Sequence, residues 1–274
     1  MYEQELEVAL EAASLASSHL IDAYERFQVI PDAAANITTD ADRQSQEIIL
    51  QAIRRTFPAD ALCAEETTAN QPAGSQTGPR LWIVDPIDGT RGFARKNGEF
   101  SVMIAFVEEG RIGVGVVAQP AVRKLTYAVR GQGCWRVDGA DQAPTRCQVT
   151  AIAEPHECTL TQSRSRDPNR RSLWTDAIVP ARIVESYSAG IKLALVARGD
   201  ADVYLNTYDA FHDWDIAAGH ILVTEAGGQV TGTGGQTLAY GLPGAWQRYG
   251  LLATNGRLHD VTLQIIASCS KPSP

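Results

Sequence analysis

Trp82-Ile83-Val84-Asp85-Pro86-Ile87-Asp88-Gly89-Thr90 is the most informative stretch of the chain. The apolar run Leu81–Val84 ends at Asp85-Pro86 and reads as a short buried strand stopped by proline. The strand delivers Asp85 to its end, Pro86 forces a turn, and Asp88 follows. Both carboxylates can then point at one locus, with the Ile87 carbonyl between them. Hard cations such as Mg²⁺ take oxygen ligands of this mixed kind. Gly89 lets the backbone approach closely, so the N–H groups of Gly89 and Thr90 can face an anion, more so if a helix begins here. The same letters also make an ordinary β-turn, because Asp, Pro and Gly are common turn residues.

Three further segments bear on the choice. Leu62-Cys63-Ala64-Glu65-Glu66-Thr67 places two adjacent acids after an apolar stretch, a pattern that alone reads as a solvated face. Thr39-Asp40-Ala41-Asp42 opens a helix and has the composition of a cap. His212-Asp213-Trp214-Asp215-Ile216-Ala217-Ala218-Gly219 opens an apolar helix with acids that the helix dipole favours.

Around these segments, Leu6, Leu10, Ala13, Ala16, Leu20, Tyr24 and Phe27 predict one face of a long helix. A second helix is expected from about Asp42 to Phe57. Phe100–Val107 and Ile112–Val117 read as a hairpin about Glu108-Glu109-Gly110-Arg111, and Leu125–Val129 and Cys134–Val137 continue the antiparallel pattern. The second half alternates. Strands are expected at Thr159–Gln162, Ile183–Ser186, Ala201–Tyr204 and Leu251–Thr254. Helices are expected at Asn169–Asp176, Ala189–Ala197, Trp214–Ala226 and Leu258–Ala267. Two sub-domains follow, residues 1–150 and 151–270, with strand–helix layering in the second.

The net charge of −8, from 24 basic and 32 acidic residues, argues against a nucleic-acid polymer as partner. The 5 cysteines are scattered without a C-x-x-C pair, so neither a disulfide framework nor a zinc ribbon is expected. Met1-Tyr2-Glu3-Gln4-Glu5 shows no signal peptide, and Val102–Val107 is too short to span a bilayer. The expectation is a cytoplasmic protein that uses no membrane.

Thr39-x-x-Asp42, Glu65-Glu66, Asp85–Thr90 and Trp214-Asp215-x-Ala217-Ala218-Gly219 stand in an order that resembles the inositol monophosphatase superfamily of magnesium-dependent, lithium-sensitive phosphatases. The resemblance spans about residues 5 to 265. It implies an α/β fold, a five-layer αβαβα sandwich, with most metal ligands in the first sub-domain and the last metal Asp in the second. It implies two to three Mg²⁺ ions: Glu65, Asp85 and the Ile87 carbonyl on the first, Asp85, Asp88 and Asp215 on the second, and a third near Glu65. Asp42 and Thr90 would orient or deprotonate the attacking water, with Glu65 also part of the catalytic set, and the Gly89 and Thr90 N–H groups would bind the phosphate. A monomer or a homodimer is expected. Metal-activated water needs no covalent nucleophile, and the chain has no C-x₅-R phosphatase loop. Gly113-x-Gly115-x-x-Ala118 matches a dinucleotide-loop pattern, but it lies inside a hairpin strand and Gln119-Pro120 follows it, so it is set aside.

Arg91–Val102 with its Asn97-Gly98-Glu99-Phe100 core, Ser163-Arg164-Ser165 and Ser188-Ala189-Gly190-Ile191-Lys192 resemble segments of bacterial 3′(2′),5′-bisphosphate nucleotidases. That makes 3′-phosphoadenosine 5′-phosphate the expected substrate, with Arg164, Ser165 and Lys192 as donors to its second phosphate. Arg170 and Arg171, which follow Arg164 and Arg166, read as the solvated approach to a helix. Arg91-Gly92-Phe93 stands where these enzymes have Lys-Glu-Phe, and Tyr204-Leu205-Asn206 where they have Tyr-Pro-Arg. The loop Gln28–Ala35 lacks their Lys. Asp209 and Asp213 precede the last metal Asp, where inositol phosphatases bind sugar hydroxyls, so inositol 1-phosphate or another small phosphate ester is the alternative. A non-catalytic metal-dependent binding module is the reading from a different functional class.

Overall fold

The computed structural model describes residues 2–34, 36–71, 75–139, 142–165 and 172–269. Helices α1 (Glu3–Arg26) and α2 (Asp40–Thr56) precede β1 (Ala61–Ala64), β2 (Arg80–Asp88) and a short α3 (Thr90–Ala94). Strands β3 (Ser101–Glu108), β4 (Arg111–Gln119), β5 (Lys124–Val129), β6 (Gly133–Asp138) and β7 (Thr145–Arg146) complete one sheet, in chain order. Only its β1–β2 pair is parallel. The β3–β4 turn uses Glu109 (φ 49°) and Gly110 (φ 74°), the paired positive angles of a hairpin turn that matches strand twist.

The second half contributes β8 (Thr159–Ser163), α4 (Leu173–Ile178), β9 (Arg182–Ser186), α5 (Ala189–Ala197), β10 (Val203–Asn206), β11 (Phe211–His212), α6 (Asp213–Glu225), β12 (Gln229–Thr231), β13 (Trp246–Gln247), β14 (Leu251–Thr254) and α7 (His259–Cys269). A second sheet runs β12-β14-β10-β8-β9, and β11 pairs with β13 apart from it. The helix expected at Asn169–Asp176 is seen from Leu173. Its first residues, with Arg166, Arg170 and Arg171, lie outside the described residues.

Strand alternation builds the layers. Trp82, Val84, Ile104, Phe106, Val114 and Val116 face α1 and α2, where Ala9, Ala12, Ala16, Leu20, Ile49 and Ile53 meet them. Leu81, Ile83, Met103 and Ala105 face the opposite way, onto Leu193 and Val196 of α5 and Ile216, Ala217 and Leu222 of α6. The same middle layer receives Tyr204, Leu251 and Ala253 of the second sheet. The far face of that sheet, through Leu160, Val203 and Leu252, is covered by Ile178 of α4 and Ile266 of α7. The result is a five-layer αβαβα sandwich, as the motifs imply. The buried side of α1 is mostly alanine, which lets it lie close to the sheet, while Leu6 and Leu10 pack at its margin.

The glycines of the rejected dinucleotide pattern serve packing. A Cβ on Gly115 would lie 2.4 Å from Ile221 Cγ2 of α6, and one on Gly113 3.0 Å from the Tyr2 ring. All 5 cysteines are free. Among the described residues no helix is long and apolar enough to cross a membrane.

Candidate active site

Strand β2 does not stop at Pro86, as the sequence predicts; it continues to Asp88 through a bulge. Asp85 pairs with Met103 and Asp88 with Ser101, so three steps on β2 match two on β3. Proline has no N–H to give the ladder, and a bulge is where a strand tolerates it. The extra residue also sets direction. Side chains three apart on a regular strand point to opposite faces; the added residue returns Asp88 to the face of Asp85, toward α5 and α6. Ile87 N–H donates to Asp85 Oδ1 at 3.0 Å, which fixes that carboxylate inside the bulge.

Parallel pairing of β1 with β2 brings the next acid in. Ala64 is registered with Val84, and Glu65 N–H donates to Val84 O at 3.3 Å, so Glu65 emerges beside Asp85. Asp215 arrives from the first turn of α6, where its Oδ2 accepts the His212 N–H. Asp88 Oδ2 accepts Gly190 N–H at 2.6 Å, Ser101 Oγ at 3.3 Å and the Ser188 hydroxyl. Ser188 is the N-cap of α5 and also accepts Ile191 N–H. Glycine at 190 is required there: a Cβ would stand 2.7 Å from Ser101 Oγ and 2.8 Å from Met103 Sδ.

Asp42 belongs to both its readings. It closes a capping box with Thr39, whose N–H and Oγ1 reach Asp42 Oδ2 at 2.8 and 2.6 Å. Its Oδ1 lies 2.8 Å from Thr90 Oγ1, which also lies 2.9 Å from Ile87 O. A hydroxyl has one proton, and the charged, nearer Asp42 competes better for it. Gly89, at φ 88°, turns the chain from β2 into α3, where a Cβ would lie 2.6 Å from Glu99 O. As the start of a helix, Gly89 and Thr90 have no intrahelical acceptor for their N–H groups.

Glu65, Asp85, Ile87, Asp88, Gly89, Thr90 and Asp215 line one open cleft of about 860 Å³. Burial, then Glu65, Asp88 and Asp215, holds the Asp85 carboxyl well above its ordinary range. Burial and the charges of Asp88 and Asp213 push Asp215 up to about 7, against the pull of the His212 N–H. Glu65 is pushed up to about 8 by burial of its carboxyl and by Asp215, Glu66 and Asp42. The residue as a whole is exposed, so solvent screens part of that effect. Asp42 is raised by burial against the three hydrogen bonds it accepts from Thr39 and Thr90.

Among the described residues, none of Glu65, Asp85 and Asp88 forms an ion pair, and Asp215 faces only the His212 ring at 3.9 Å. Nor do three acidic, histidine or cysteine side chains there close around one point as a finished chelate. The donor set is all oxygen, four mutually repelling carboxylates and a carbonyl. That chemistry fits a hard divalent cation and no soft one.

The expected substrate contacts fare unequally. Arg164 lines the cleft, but its guanidinium is forked onto Glu99, with Nε 3.1 Å from Oε2, and also donates to Glu185 O at 3.3 Å. Lys192 is 1% exposed and donates to Ser186 O at 2.9 Å; burial lowers it to about 8. Ser165 lines a neighbouring hollow of about 400 Å³ instead of the cleft. Asp213 is not a cleft residue. Its carboxylate accepts Gly241 N–H at 2.8 Å and Gln247 Nε2 at 2.7 Å, a buried tie between α6 and β13. Sequence reasoning missed Ser101 and the aromatic wall, in which the His212 ring sits between Trp214 at 4.3 Å and Trp246 at 4.1 Å. The Trp214-Asp215 motif marks one edge of that wall; nothing local marks Trp246.

The sequence matches the Inositol monophosphatase family over residues 1–271. The chain belongs to this family. It is a phosphatase of the inositol monophosphatase fold. A histidinol-phosphatase of Mycobacterium tuberculosis is 35% identical over 243 residues, covering 87% of this chain and 86% of the relative. The 3′(2′),5′-bisphosphate nucleotidase CysQ of Salmonella typhimurium is 32% identical, over 74% of this chain and 78% of its own. The solved inositol monophosphatase of Anabaena superposes with a TM-score of 0.79 at 28% identity, covering 97% of this chain and 96% of that one.

Proposed function

We propose that this phosphatase is a Mg²⁺-dependent phosphomonoesterase that hydrolyses a small phosphate ester by attack of water, with 3′-phosphoadenosine 5′-phosphate as its substrate. The observation that carries the reaction class is the meeting of Glu65, Asp85, Asp88 and Asp215 with the Asp42–Thr90 pair at one cleft. Glu65, Asp85, Asp88, Asp215 and the Ile87 carbonyl would hold the ions. Bound Mg²⁺ supplies charge neutralisation and a lowered water pKa.

The chain's own groups do the rest. Thr90 Oγ1–H donates a hydrogen bond to Asp42 Oδ1, which leaves the Thr90 oxygen lone pairs to accept a hydrogen bond from the attacking water. Asp42, raised by burial, is suited to take up a proton through Thr90. Asp88 is held by three donors on Oδ2, so its other oxygen keeps one direction. The Gly89 and Thr90 N–H groups receive phosphate oxygens. No cysteine lines the cleft, and the burial of Cys63 pushes its thiol up to about 12.

The substrate follows from charge. Arg91, which makes no ion pair among the described residues, gives the cleft a cationic flank beyond the carboxylates, whereas Arg164 and Lys192 are already engaged by Glu99 and Ser186 O. A second phosphate is attracted there, a neutral inositol ring gains nothing from it, and the ammonium of histidinol phosphate is repelled. Similarity to the M. tuberculosis histidinol-phosphatase favours histidinol phosphate as a second reading. Phosphate release with Mg²⁺ from the bisphosphate, inositol 1-phosphate and histidinol phosphate decides the matter. A kcat/KM at least tenfold higher for the bisphosphate is expected, and a preference for either other ester overturns it. Release from none would revive the metal-dependent binding module.

A further inference from the structure

The residues first expected to bind a second phosphate are occupied. Glu99 and Glu185 hold the Arg164 guanidinium, and Lys192 is sealed against Ser186 O. Arg91 is different. It follows Thr90 in α3, lines the cleft, and makes no ion pair among the described residues. Its Nε is buried without a hydrogen-bond partner there. A buried N–H without an acceptor is costly, and a bound anion would remove that cost.

The guanidinium is also held in place. Arg91 Cζ lies 5.2 Å from the centre of the Tyr187 ring, itself part of the cleft wall. The same ring has Arg164 at 5.6 Å and Arg95 at 5.8 Å. Tyr187 N–H donates to Glu99 Oε2 at 3.2 Å, the carboxylate that neutralises Arg164. One aromatic ring therefore gathers three guanidiniums, of which Glu99 and Glu185 satisfy one. We propose that Arg91, seated on Tyr187, is the specificity-determining residue that selects phosphate esters carrying a second phosphate. A planar fork matches a tetrahedral anion through two parallel N–H bonds, which a lysine cannot do. Arg95, more exposed and also without an ion pair among the described residues, adds attraction from the rim.

This inference rests on the phosphatase reading above, and its test separates the two. 3′-Phosphoadenosine 5′-phosphate and adenosine 3′-phosphate present the same 3′ ester and differ in the second phosphate. The wild type should show a kcat/KM ratio between them of at least tenfold. Arg91→Ala should bring the ratio within about threefold of unity, chiefly through KM, and Arg91→Lys should recover only part of it. A ratio that survives Arg91→Ala overturns the assignment. So does an equal loss on both esters, which would place Arg91 at the cleaved phosphate or in the fold; a melting curve of each variant tells those apart. If the wild type cleaves neither ester, the nucleotide reading fails separately. Calorimetric binding of both esters then reads the anion site directly: a preference lost in Arg91→Ala supports it, and no preference in the wild type overturns it.

Discussion

Asp215→Asn should make the metal-free protein more stable while it removes activity. Asp215 titrates near 7 in the folded chain and near 3.8 when unfolded. Between those values the folded state keeps a proton that the unfolded chain has released, so wild-type stability falls as pH rises from about 4 and levels off above about 7. At about 1.4 kcal/mol per pH unit the full cost is about 4 kcal/mol. The side chain is 26% exposed, so screening reduces it to roughly 2–3 kcal/mol. Asparagine keeps an oxygen for the His212 N–H and loses the acid's favourable place in the first turn of α6, worth up to about 1 kcal/mol. Thermal melts in EDTA should show the variant about 2–6 °C above the wild type at pH 8 and level with it at pH 4. Saturating Mg²⁺ should raise the wild type, by about 3 kcal/mol at a hundred times Kd, and raise the variant less, because Glu65, Asp85 and the Ile87 carbonyl would still hold one ion. An equal gain at both pH values would mean that no clash of carboxylates is being relieved. A variant that responds to Mg²⁺ as fully as the wild type would remove Asp215 from the ion-holding set.

Thr90→Val should lower kcat at least a hundredfold in steady-state assays, and adding Asp42→Asn should cost little more, because the two act as one unit through a single hydrogen bond. Gly89→Ala forces a Cβ to within 2.6 Å of Glu99 O at a φ of 88°; a loss of about 1–3 kcal/mol should appear in urea melts as a lower midpoint with an unchanged slope. Arg80 is forked onto Asp60 at 2.9 and 3.0 Å, reaches Glu5 and lies 4.5 Å over the Phe106 ring, so Arg80→Ala should cost about 2 kcal/mol in the same melts. Arg80→Lys should recover little of it, since an ammonium cannot make the fork.

What could be read from the chain beforehand divides by the range of the interactions. The hairpin turn at Glu109-Gly110, the Thr39–Asp42 cap and the acid opening α6 are local, and their letters announce them. The five layers were legible only through the family resemblance that the motifs carry; the residues by themselves predict two helices on an antiparallel sheet and an alternating second half. Pro86 misled in one respect. Proline reads as a strand stop, yet here the ladder bond it cannot make is absorbed by a bulge, and the bulge is what aims Asp85 and Asp88 the same way. Substrate contacts were harder. Arg164 and Lys192 carry the right charge, but Glu99 and Ser186 O, which consume them, become visible only once β3, β9 and α5 are packed together. Asp213 failed for the same reason, since Gly241 and Gln247 lie almost thirty residues or more beyond it in the chain.

That difference bears on how the site works. Asp88 draws its hydrogen bonds from Ser101, Ser188 and Gly190, so strand β3 and helix α5 are clamped onto the bulge through one carboxylate oxygen. The clamp joins the two halves of the chain at the very atoms that would face an ion. Loss of the Asp88 charge would then loosen α5 as well as the ion site, while loss of Asp215 would relieve repulsion and leave the clamp closed. Two carboxylates in one cleft are therefore unequal: Asp88 is fixed by donors, with Gly190 kept small to admit them, and Asp215 stands in the cleft under the repulsion of its neighbours, held by one backbone N–H. The gain in stability belongs to position 215 and not to position 88, and comparing the two asparagine variants in EDTA tests that asymmetry directly.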